Sequence, residues 1–311
     1  MKKNLFIVYL LIFLAMSFWG LSFVWVKIVY QYLKPFTIVF IRLSISAFLL
    51  FISGKLFKFL DKIDKNTIFS IMLLAFFEPF LYFIGESFGL LLVSATVGSI
   101  IIATIPVITP IFSLIFEKEK ITIYGIIGLI LSFIGVLLLI IFGNDHEISV
   151  ENKNGISIKG ILLLFFAVFS AIGYLITAKR ILKKNIEPFT IVAYQNLFGA
   201  IYFLPFFLIF DFKNMMPIQD MPFEVFKNIL LLAIFPSTIA FIFYNISLKE
   251  IGINRSNIFT NFIPVITAIA SFFILKEKFT LIKIFSIFLI IFGVFISQIK
   301  KSYEGNYIQE Y

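Results

Sequence analysis

The sequence predicts an all-α polytopic membrane protein with ten transmembrane helices, arranged as two inverted five-helix repeats. Three observations predict this fold class. The 311 residues are 61% hydrophobic and only 14% charged, whereas about a quarter of the residues of a soluble domain are charged. Apolar runs of 18 or more residues recur along the chain, and this is the length that crosses a bilayer. A long stretch of the sequence also occurs twice.

The repeat is clearest where residues 94–122 return as residues 252–280, at an offset of 158. Twelve of the 29 paired positions are identical. Both copies contain Ile-Pro-Val-Ile-Thr, with the prolines at Pro106 and Pro264, and both end in a Lys-Glu-Lys triplet. At an offset of 153, Pro-Phe-Thr-Ile-Val also occurs twice, starting at Pro35 and at Pro188. The first five helices therefore repeat as the last five.

Hydropathy places the ten helices near 4–27, 35–54, 67–91, 95–116, 121–143, 158–178, 188–210, 226–248, 255–275 and 280–299. The predicted units are a first repeat over 1–143, a polar connection over 144–157, a second repeat over 158–301 and a tail over 302–311. The change of offset from 153 to 158 predicts about five extra residues between helices 7 and 8.

An odd number of helices per repeat makes the second copy enter the membrane from the opposite side. Secondary transporters use such inverted repeats, with the substrate site near the midplane between the halves. With the N-terminus inside, sixteen Lys and Arg residues face the cytoplasm and nine face outward. This bias predicts a multi-pass protein of the cell membrane with both termini cytoplasmic.

The N-terminal apolar run is interpreted as the first transmembrane helix, because bulky residues continue to Val26 without a signal-peptide cleavage pattern. The net charge of +9 comes from turns between apolar runs, so it indicates membrane topology and no nucleic-acid partner. The expected partners are the lipid bilayer and a small-molecule metabolite, with protons as a possible coupling ion. The chain is expected to be a monomer or a homodimer.

Composition also argues against cofactor and enzyme chemistry. The chain has no cysteine, and its single histidine, His146, lies in the polar connection. No His, Cys or Asp falls within the predicted helices, so neither a metal cluster nor a catalytic triad or aspartate pair is expected there. No nucleotide-binding loop is present either. The prediction is a protein with no cofactor and no enzymatic activity.

Glu78 is the most informative side chain, because it lies near the centre of predicted helix 3. A charge at that depth costs about 3 kcal/mol on insertion scales, so it is expected to face a wet cavity or a partner, or to be protonated. Pro79 follows it and disturbs the preceding turn. The two open interpretations are a substrate or proton site and a structural carboxyl that bonds a neighbouring helix.

Tyr82 and Glu86 follow Glu78 at i+4 and i+8, on one stripe of the helix. Glu86 is interpreted either as a second cavity residue or as an interfacial carboxylate. Arg42 in helix 2 pairs by the repeat with Gln195. Arg42 is expected to form an ion pair with a carboxylate of helix 3, or to bind only backbone and lipid headgroups.

The symmetric Pro106 and Pro264 each leave one carbonyl without its helical donor, which either serves the cavity or marks a packing kink. Asn257, Asn261 and Pro264 share a face of predicted helix 9 at i, i+4 and i+7. The equivalent face of helix 4 is less polar. Asn261 especially is expected to contact substrate.

Aromatic and amide groups at depth suggest a cavity for an amphipathic or cationic molecule. The candidates are Trp19, Tyr174, Tyr244 and Asn245, with the alternative that such rings face lipid or other helices. Gly20 and Gly173 are expected to allow close helix contact. The Lys-Glu-Lys triplets at 118–120 and 276–278 are expected to be solvated turns.

The order of these features resembles the EamA-type proteins of the drug/metabolite transporter superfamily. The features are the two repeats, Trp19-Gly20 followed by Lys27 in helix 1, Arg42 in helix 2, and a proline followed by a Glu-containing turn in helices 4 and 9. The resemblance implies ten helices around a central cavity lined mainly by helices 1, 3, 4, 6, 8 and 9. It also implies transport of small metabolites, often export of amino acids or related compounds.

The chain departs from the pattern at Ile172-Gly173, where the first half has Trp-Gly, and Glu78 and Glu86 are not part of the pattern. The predicted function is a secondary active transporter of small organic metabolites working by alternating access. An exporter of amino acids or related compounds is expected, with proton coupling as a hypothesis. The alternatives are a multidrug or organic-cation exporter that uses intramembrane Glu, and a membrane assembly protein without substrate.

Overall fold

A computed structural model describes residues 5–109, 112, 123–142, 157–184 and 186–297, and within these ranges the chain is helical with no β-strand. The segments are α1 (Leu5–Val29), α2 (Pro35–Leu56), α3 (Lys65–Leu92), α4 (Ala95–Thr109), α5 (Ile123–Phe142), α6 (Ile158–Leu182), α7 (Pro188–Asp211), α8 (Phe223–Ile251), α9 (253–275) and α10 (Leu281–Ser297). The connection over 144–156, the tail 302–311 and the triplet 118–120 lie outside the described residues.

Seven of these segments are long and apolar enough to cross a membrane, namely α1, α2, α3, α6, α7, α8 and α9. Over the described residues, α4, α5 and α10 form shorter apolar helices at three further predicted positions. The predicted class of all-α polytopic membrane protein is confirmed. The exact count of ten crossings stays a prediction. Two short 3₁₀ turns, Phe212–Asn214 and Ile218–Asp220, lie in the α7–α8 connection, where the offset between the repeats changes.

Local sequence signals fix where several helices begin. Ser94 is the N-cap of α4 and accepts a hydrogen bond from the backbone nitrogen of Val97 at 3.2 Å. Asp64 caps α3 in the same way, and its hydrogen bond with Thr67 lowers the pKa of the Asp64 carboxyl. Prolines occupy the first position of both α2 and α7, where a missing N–H costs nothing.

The helices α3 and α8 are both interrupted near their middles by a π-helical segment, Phe76–Leu81 in α3 and Phe235–Ala240 in α8. Each segment contains a proline, which lacks the donor that an α-helix needs and clashes with the preceding turn. At Glu78 the backbone leaves the helical region altogether, with φ −144° and ψ 117°.

The packing of α5 on α10 shows that the two halves are inverted. A methyl group added to Gly135 would lie 3.1 Å from the nitrogen of Ile290, and one added to Gly293 would lie 2.7 Å from that of Ser132. The offset of 158 pairs Gly135 with Gly293 and Ser132 with Ile290, so the same contact occurs twice with the halves exchanged. Successive contacts use higher residue numbers in α5 and lower residue numbers in α10. The two helices are therefore antiparallel and related by a pseudo-two-fold axis.

Two aspartates join α2 and α7 at opposite ends of this antiparallel pair. Asp211, which ends α7, accepts hydrogen bonds from the backbone nitrogen of Thr37 at 2.9 Å and from its hydroxyl at 3.1 Å, at the start of α2. Asp61, which follows α2, accepts from the backbone nitrogen of Glu187 at 2.7 Å, before α7. Each carboxylate satisfies helix-start donors that have no partner within their own helix.

The structure corrects the expectation that the second Lys-Glu-Lys triplet is a solvated turn. Glu277 is only 6% exposed. Its Oε1 accepts from the backbone nitrogen of Ala95 at 3.0 Å, and its Oε2 lies 3.7 Å from Nζ of the buried Lys283. The expectation was wrong for Glu277, because the start of α4 and the cation of Lys283 compensate the buried charge. Lys276 and Lys278 are exposed as expected.

Candidate functional site

A cavity lies between the two halves. The volume open to the centres of water molecules is ≈ 60 Å³, which is room for about four to six waters. The first half lines it with residues of α1 to α4, and the second half with residues of α6, α8 and α9. The lining residues are Trp19, Ser22, Phe23, Arg42, Glu78, Tyr82, Phe83, Glu86, Ile102, Ile105, Ala171, Tyr174, Leu175, Phe241, Tyr244, Asn257, Thr260 and Ile263.

Many of the lining residues are repeat equivalents of one another, so the cavity lies on the pseudo-two-fold axis. Five pairs of lining residues are related by the two sequence offsets: Ser22 with Leu175, Phe83 with Phe241, Glu86 with Tyr244, Ile102 with Thr260, and Ile105 with Ile263. The members of three pairs differ in polarity. The first half supplies both carboxylates, and the second half supplies phenol, amide and hydroxyl groups. The symmetric shell therefore carries an asymmetric charge.

Glu78 lies within the interruption of α3 and lines the cavity. It is only 9% exposed. Its backbone oxygen accepts a hydrogen bond from Nε2 of Gln195 in α7 at 3.1 Å. No side chain among the described residues forms a hydrogen bond or ion pair with its carboxyl group. A buried carboxyl without a protein partner that lines a cavity is suited to bind a solute or a proton.

Glu86 and Tyr82 lie one helical turn apart, and the Tyr82 hydroxyl donates to Oε1 of Glu86 at 3.1 Å. Arg42 lines the cavity beside them, with its guanidinium carbon 4.4 Å from the centre of the Phe83 ring. Its Nε donates to the Ser237 hydroxyl of α8 at 2.8 Å. Among the described residues Arg42 forms no ion pair within 4 Å. The cavity thus contains a cationic and two acidic side chains that do not neutralise one another through direct contact.

The second half positions its polar groups through hydrogen bonds between helices. The Tyr244 hydroxyl donates to Oδ1 of Asn257 at 2.9 Å. Nδ2 of Asn245 donates to the Tyr174 hydroxyl at 3.1 Å. Trp19 packs against the Tyr244 ring, with centroids 5.0 Å apart, and its Nε1 donates to the oxygen of Pro236 at 3.2 Å. These contacts give the aromatic wall a fixed geometry.

Six of the eight residues predicted to bind substrate line this cavity, namely Trp19, Glu78, Tyr82, Glu86, Tyr174 and Tyr244. Asn245 is fully buried behind Tyr174 and does not line the cavity. Asn261 does not line it either, and its Oδ1 is buried without a hydrogen-bond partner among the described residues.

The structure places Asn257 and Thr260, rather than Asn261, on the cavity side of α9. The reason is a 3₁₀ segment at Phe259–Asn261. A 3₁₀ turn has three residues, so positions i and i+3 align and the expected α-helical stripe shifts. Asn257 and Thr260 are i and i+3. The prediction for Asn261 assumed an uninterrupted α-helix, and in the structure Asn261 does not face the cavity.

Each symmetric proline lies just beyond the cavity wall. Pro106 follows a turn at 103–104, and Pro264 follows the 3₁₀ segment, so both helices are irregular before the proline. The residues four positions earlier, Ile102 and Thr260, both line the cavity. A proline has no N–H to donate to that carbonyl, so each half contributes a cavity residue whose carbonyl lacks its normal helical donor.

Ser237, Asn257 and Thr260 are parts of the site or its support that sequence reasoning did not select as binding residues. Ser237 had no signal beyond its place after Pro236, the repeat equivalent of Glu78. The sequence marks Gln195 only as the repeat partner of Arg42. That pairing was informative, because each side chain bonds the interrupted helix of the opposite half. Within the described residues no group of three or more His, Cys, Asp or Glu could hold a metal ion.

An inverted-repeat helical bundle around a central polar cavity defines the class of membrane transport proteins. Comparison with known proteins agrees. The sequence pattern of the EamA-like transporter family matches residues 6–141 and again residues 158–298. The chain belongs to the EamA-like transporter family, which confirms the resemblance found in the sequence. It is a multi-pass membrane protein of a transporter family.

Curated relatives cover nearly the whole chain. The uncharacterized transporter YetK of Bacillus subtilis (strain 168) is 28% identical over 94% of this chain and 87% of its own length. An uncharacterized transporter of Archaeoglobus fulgidus is 26% identical over 91% of this chain and 95% of its own length. A solved structure, titled only as the crystal structure of a protein, has a TM-score of 0.67 at 14% identity. It covers 93% of this chain and 97% of that one, and it supports the fold.

Proposed function

We propose that the protein is a secondary active transporter that exports amino acids or related zwitterionic metabolites by alternating access. The observation that carries the proposal is the placement of a guanidinium and two carboxyl groups around one cavity on the pseudo-two-fold axis. We place the protein in the cell membrane with both termini in the cytoplasm, following the distribution of Lys and Arg.

The cavity chemistry suits a small molecule that carries both charges. An ammonium group is matched by the carboxyl groups of Glu78 and Glu86. A carboxylate is matched by Arg42, because its guanidinium has five N–H donors and the hydrogen bond to Ser237 uses only Nε. Such charge-assisted hydrogen bonds are stronger than neutral ones. The small volume of the cavity favours a compact solute in this conformation.

An organic cation is the second candidate substrate. Two carboxyl groups outnumber the single guanidinium, and rings such as Trp19 and Tyr244 offer faces that attract cations. On this alternative Arg42 supports the site through Ser237 and Phe83 and does not contact the solute. A non-transporting assembly protein remains the remote third candidate.

Binding measurements with three related compounds separate these candidates. We expect an α-amino acid to raise the thermal unfolding temperature of the purified protein more than the matching primary amine or carboxylic acid. Arg42→Met removes the advantage of the amino acid over the amine, and Glu78→Gln removes its advantage over the acid. Tightest binding of the amine, unaltered by Arg42→Met, would instead identify an organic-cation transporter.

Transport itself is tested in proteoliposomes loaded with an unlabelled amino-acid mixture. Exchange for external labelled amino acid shows carrier activity, and an assembly protein gives none. Proton coupling predicts that a pH gradient drives net accumulation, and that Glu78→Gln, assayed at amino-acid concentrations high enough to fill its weakened site, keeps exchange but loses this response. A Glu78→Gln variant that keeps its full dependence on the pH gradient would remove Glu78 from that role.

A further inference from the structure

The hairpin that joins α3 to α4, residues 90–95, is held by a side chain of α1 and by one of the turn between α9 and α10. Nζ of Lys27 in α1 donates to the backbone oxygens of Leu90 and of Val93, the latter at 2.6 Å. Glu277 accepts from the backbone nitrogen of Ala95. A helix end leaves its last carbonyls unpaired and attracts cations. The cation of Lys27 therefore holds the end of α3 while Glu277 holds the start of α4.

The second hairpin, residues 248–253 between α8 and α9, is the repeat equivalent of the first and lacks this contact. The offset of 153 pairs Lys27 with Arg180, and the offset of 158 pairs Leu90 with Leu248 and Val93 with Ile251. The Arg180 side chain is exposed. No hydrogen bond links it to α8 within the described part of the chain.

The repeat-equivalent residues Ser94 and Gly252 of the two hairpins also differ in burial. Ser94 in the first hairpin is 1% exposed. Its equivalent in the second hairpin, Gly252, is exposed, and a methyl group built there would meet no atom within 4 Å. At this position the first hairpin is packed and the second is exposed, while Leu248 and Ile251 of the second hairpin stay buried. The two halves have the same architecture in two different local conformations.

We infer that Lys27 and Arg180 are alternating gate residues. In the opposite conformation Arg180 donates to the backbone oxygens of Leu248 and Ile251 at the end of α8, and Lys27 releases the end of α3. Exchange of conformation between inverted repeats interconverts the two states of such transporters. The inference rests on the alternating access proposed above, but its test needs no substrate, so failure of the transport assay and failure of the gate are distinguishable.

The test uses single cysteines in a chain that has none of its own. Val93→Cys reports opening of the first hairpin, and Ile251→Cys, at the equivalent position of the repeat, reports opening of the second. Each is labelled with a water-soluble maleimide in lipid nanodiscs, where both faces are accessible. We expect slower labelling at position 93 than at position 251.

Removing Lys27 and removing Arg180 should change the labelling rate of Val93→Cys in opposite directions. Lys27→Met releases the first hairpin and raises the labelling rate by roughly 10-fold, and Arg180→Met destabilises the opposite state and lowers it by a similar factor. Arg180→Lys, which keeps a donor, restores most of the rate. Lys183→Met, an exposed cation on the same turn, leaves it unchanged.

An Arg180→Met protein whose Val93→Cys labelling matches the parent, or rises as for Lys27→Met, would overturn the inference. The sign of the change separates a gate from a loss of folding, because unfolding exposes both reporters. Arg180 is exposed, so its substitution removes no packed core contact. Size-exclusion profiles of all variants check that the fold is retained.

Discussion

Gln195 of α7 donates a hydrogen bond from Nε2 to the backbone oxygen of Glu78, at 3.1 Å, where α3 is interrupted. Its repeat equivalent Arg42 donates to Ser237, within the interruption of α8. Each half therefore fixes the broken helix of the other. The carboxyl group of Glu78 depends on this contact for its position, although Gln195 does not line the cavity itself.

Replacing Gln195 with Leu should impair transport more than stability. The variant leaves the Glu78 carbonyl without its donor, but it also removes the Oε1 atom of Gln195, which has no partner among the described residues. We therefore expect a loss of about 1 kcal/mol in stability, the low end for a buried unmade hydrogen bond. Thermal unfolding and amino-acid exchange in proteoliposomes measure the two effects. Tyr194→Phe is the neighbouring control, and an unchanged exchange rate in Gln195→Leu would contradict the positioning role.

Gly293→Ala should destabilise the protein despite the better helix propensity of alanine. The added methyl group would lie 2.7 Å from the backbone oxygen of Gly128 and 2.7 Å from the nitrogen of Ser132, and backbone atoms in a packed helix pair cannot move aside cheaply. Overpacking of this kind costs about 1–3 kcal/mol. Thermal unfolding in detergent measures it. Phe295→Leu, at a position 61% exposed on the same helix, should change little, and equal stability of the two variants would argue against the close α5–α10 contact.

Asp211→Ala should cost more stability than Asp61→Ala, although both carboxylates cap a helix start in the α2–α7 pair. Asp211 is 4% exposed, so its loss leaves the nitrogen of Thr37 buried without an acceptor, at about 1–3 kcal/mol. The contact of Asp61 with Glu187 is exposed, and water replaces the lost carboxylate. Unfolding temperatures of the two variants compare them directly. A larger loss for Asp61→Ala would contradict the burial of Asp211.

The buried pair of Glu277 and Lys283 should show strong coupling in a double-mutant cycle. Lys283→Leu leaves the buried carboxylate of Glu277 without this cation, which costs about 3–5 kcal/mol, and Glu277→Leu removes one partner of Lys283. The double variant should lose less than either single variant, apart from about 1 kcal/mol for the lost cap at Ala95. Unfolding free energies of the four proteins measure the coupling. Additive effects would show that the two charges do not depend on one another.

The sequence by itself determined the membrane class, the duplication and the helix positions. Apolar length, repeated Ile-Pro-Val-Ile-Thr and prolines are local signals, and they remain readable without knowledge of contacts. The same signals placed Glu78, Tyr82 and Glu86 on one stripe, and all three line the cavity although α3 is interrupted between Glu78 and Tyr82. The inverted relation of the halves followed from the odd number of helices in each repeat.

Only the tertiary structure decided which face of α9 lines the cavity and which charges are buried. The 3₁₀ segment Phe259–Asn261 places Thr260, rather than Asn261, beside Asn257 on the cavity wall, and a 3₁₀ segment has no distinct hydropathy pattern of its own. The sequence predicts a solvated Glu277, because its partners, Ala95 and Lys283, are supplied by other helices. Hydrogen bonds between distant segments, such as Gln195 with Glu78, depend on how helices pack, and a sequence pattern records only neighbours along the chain.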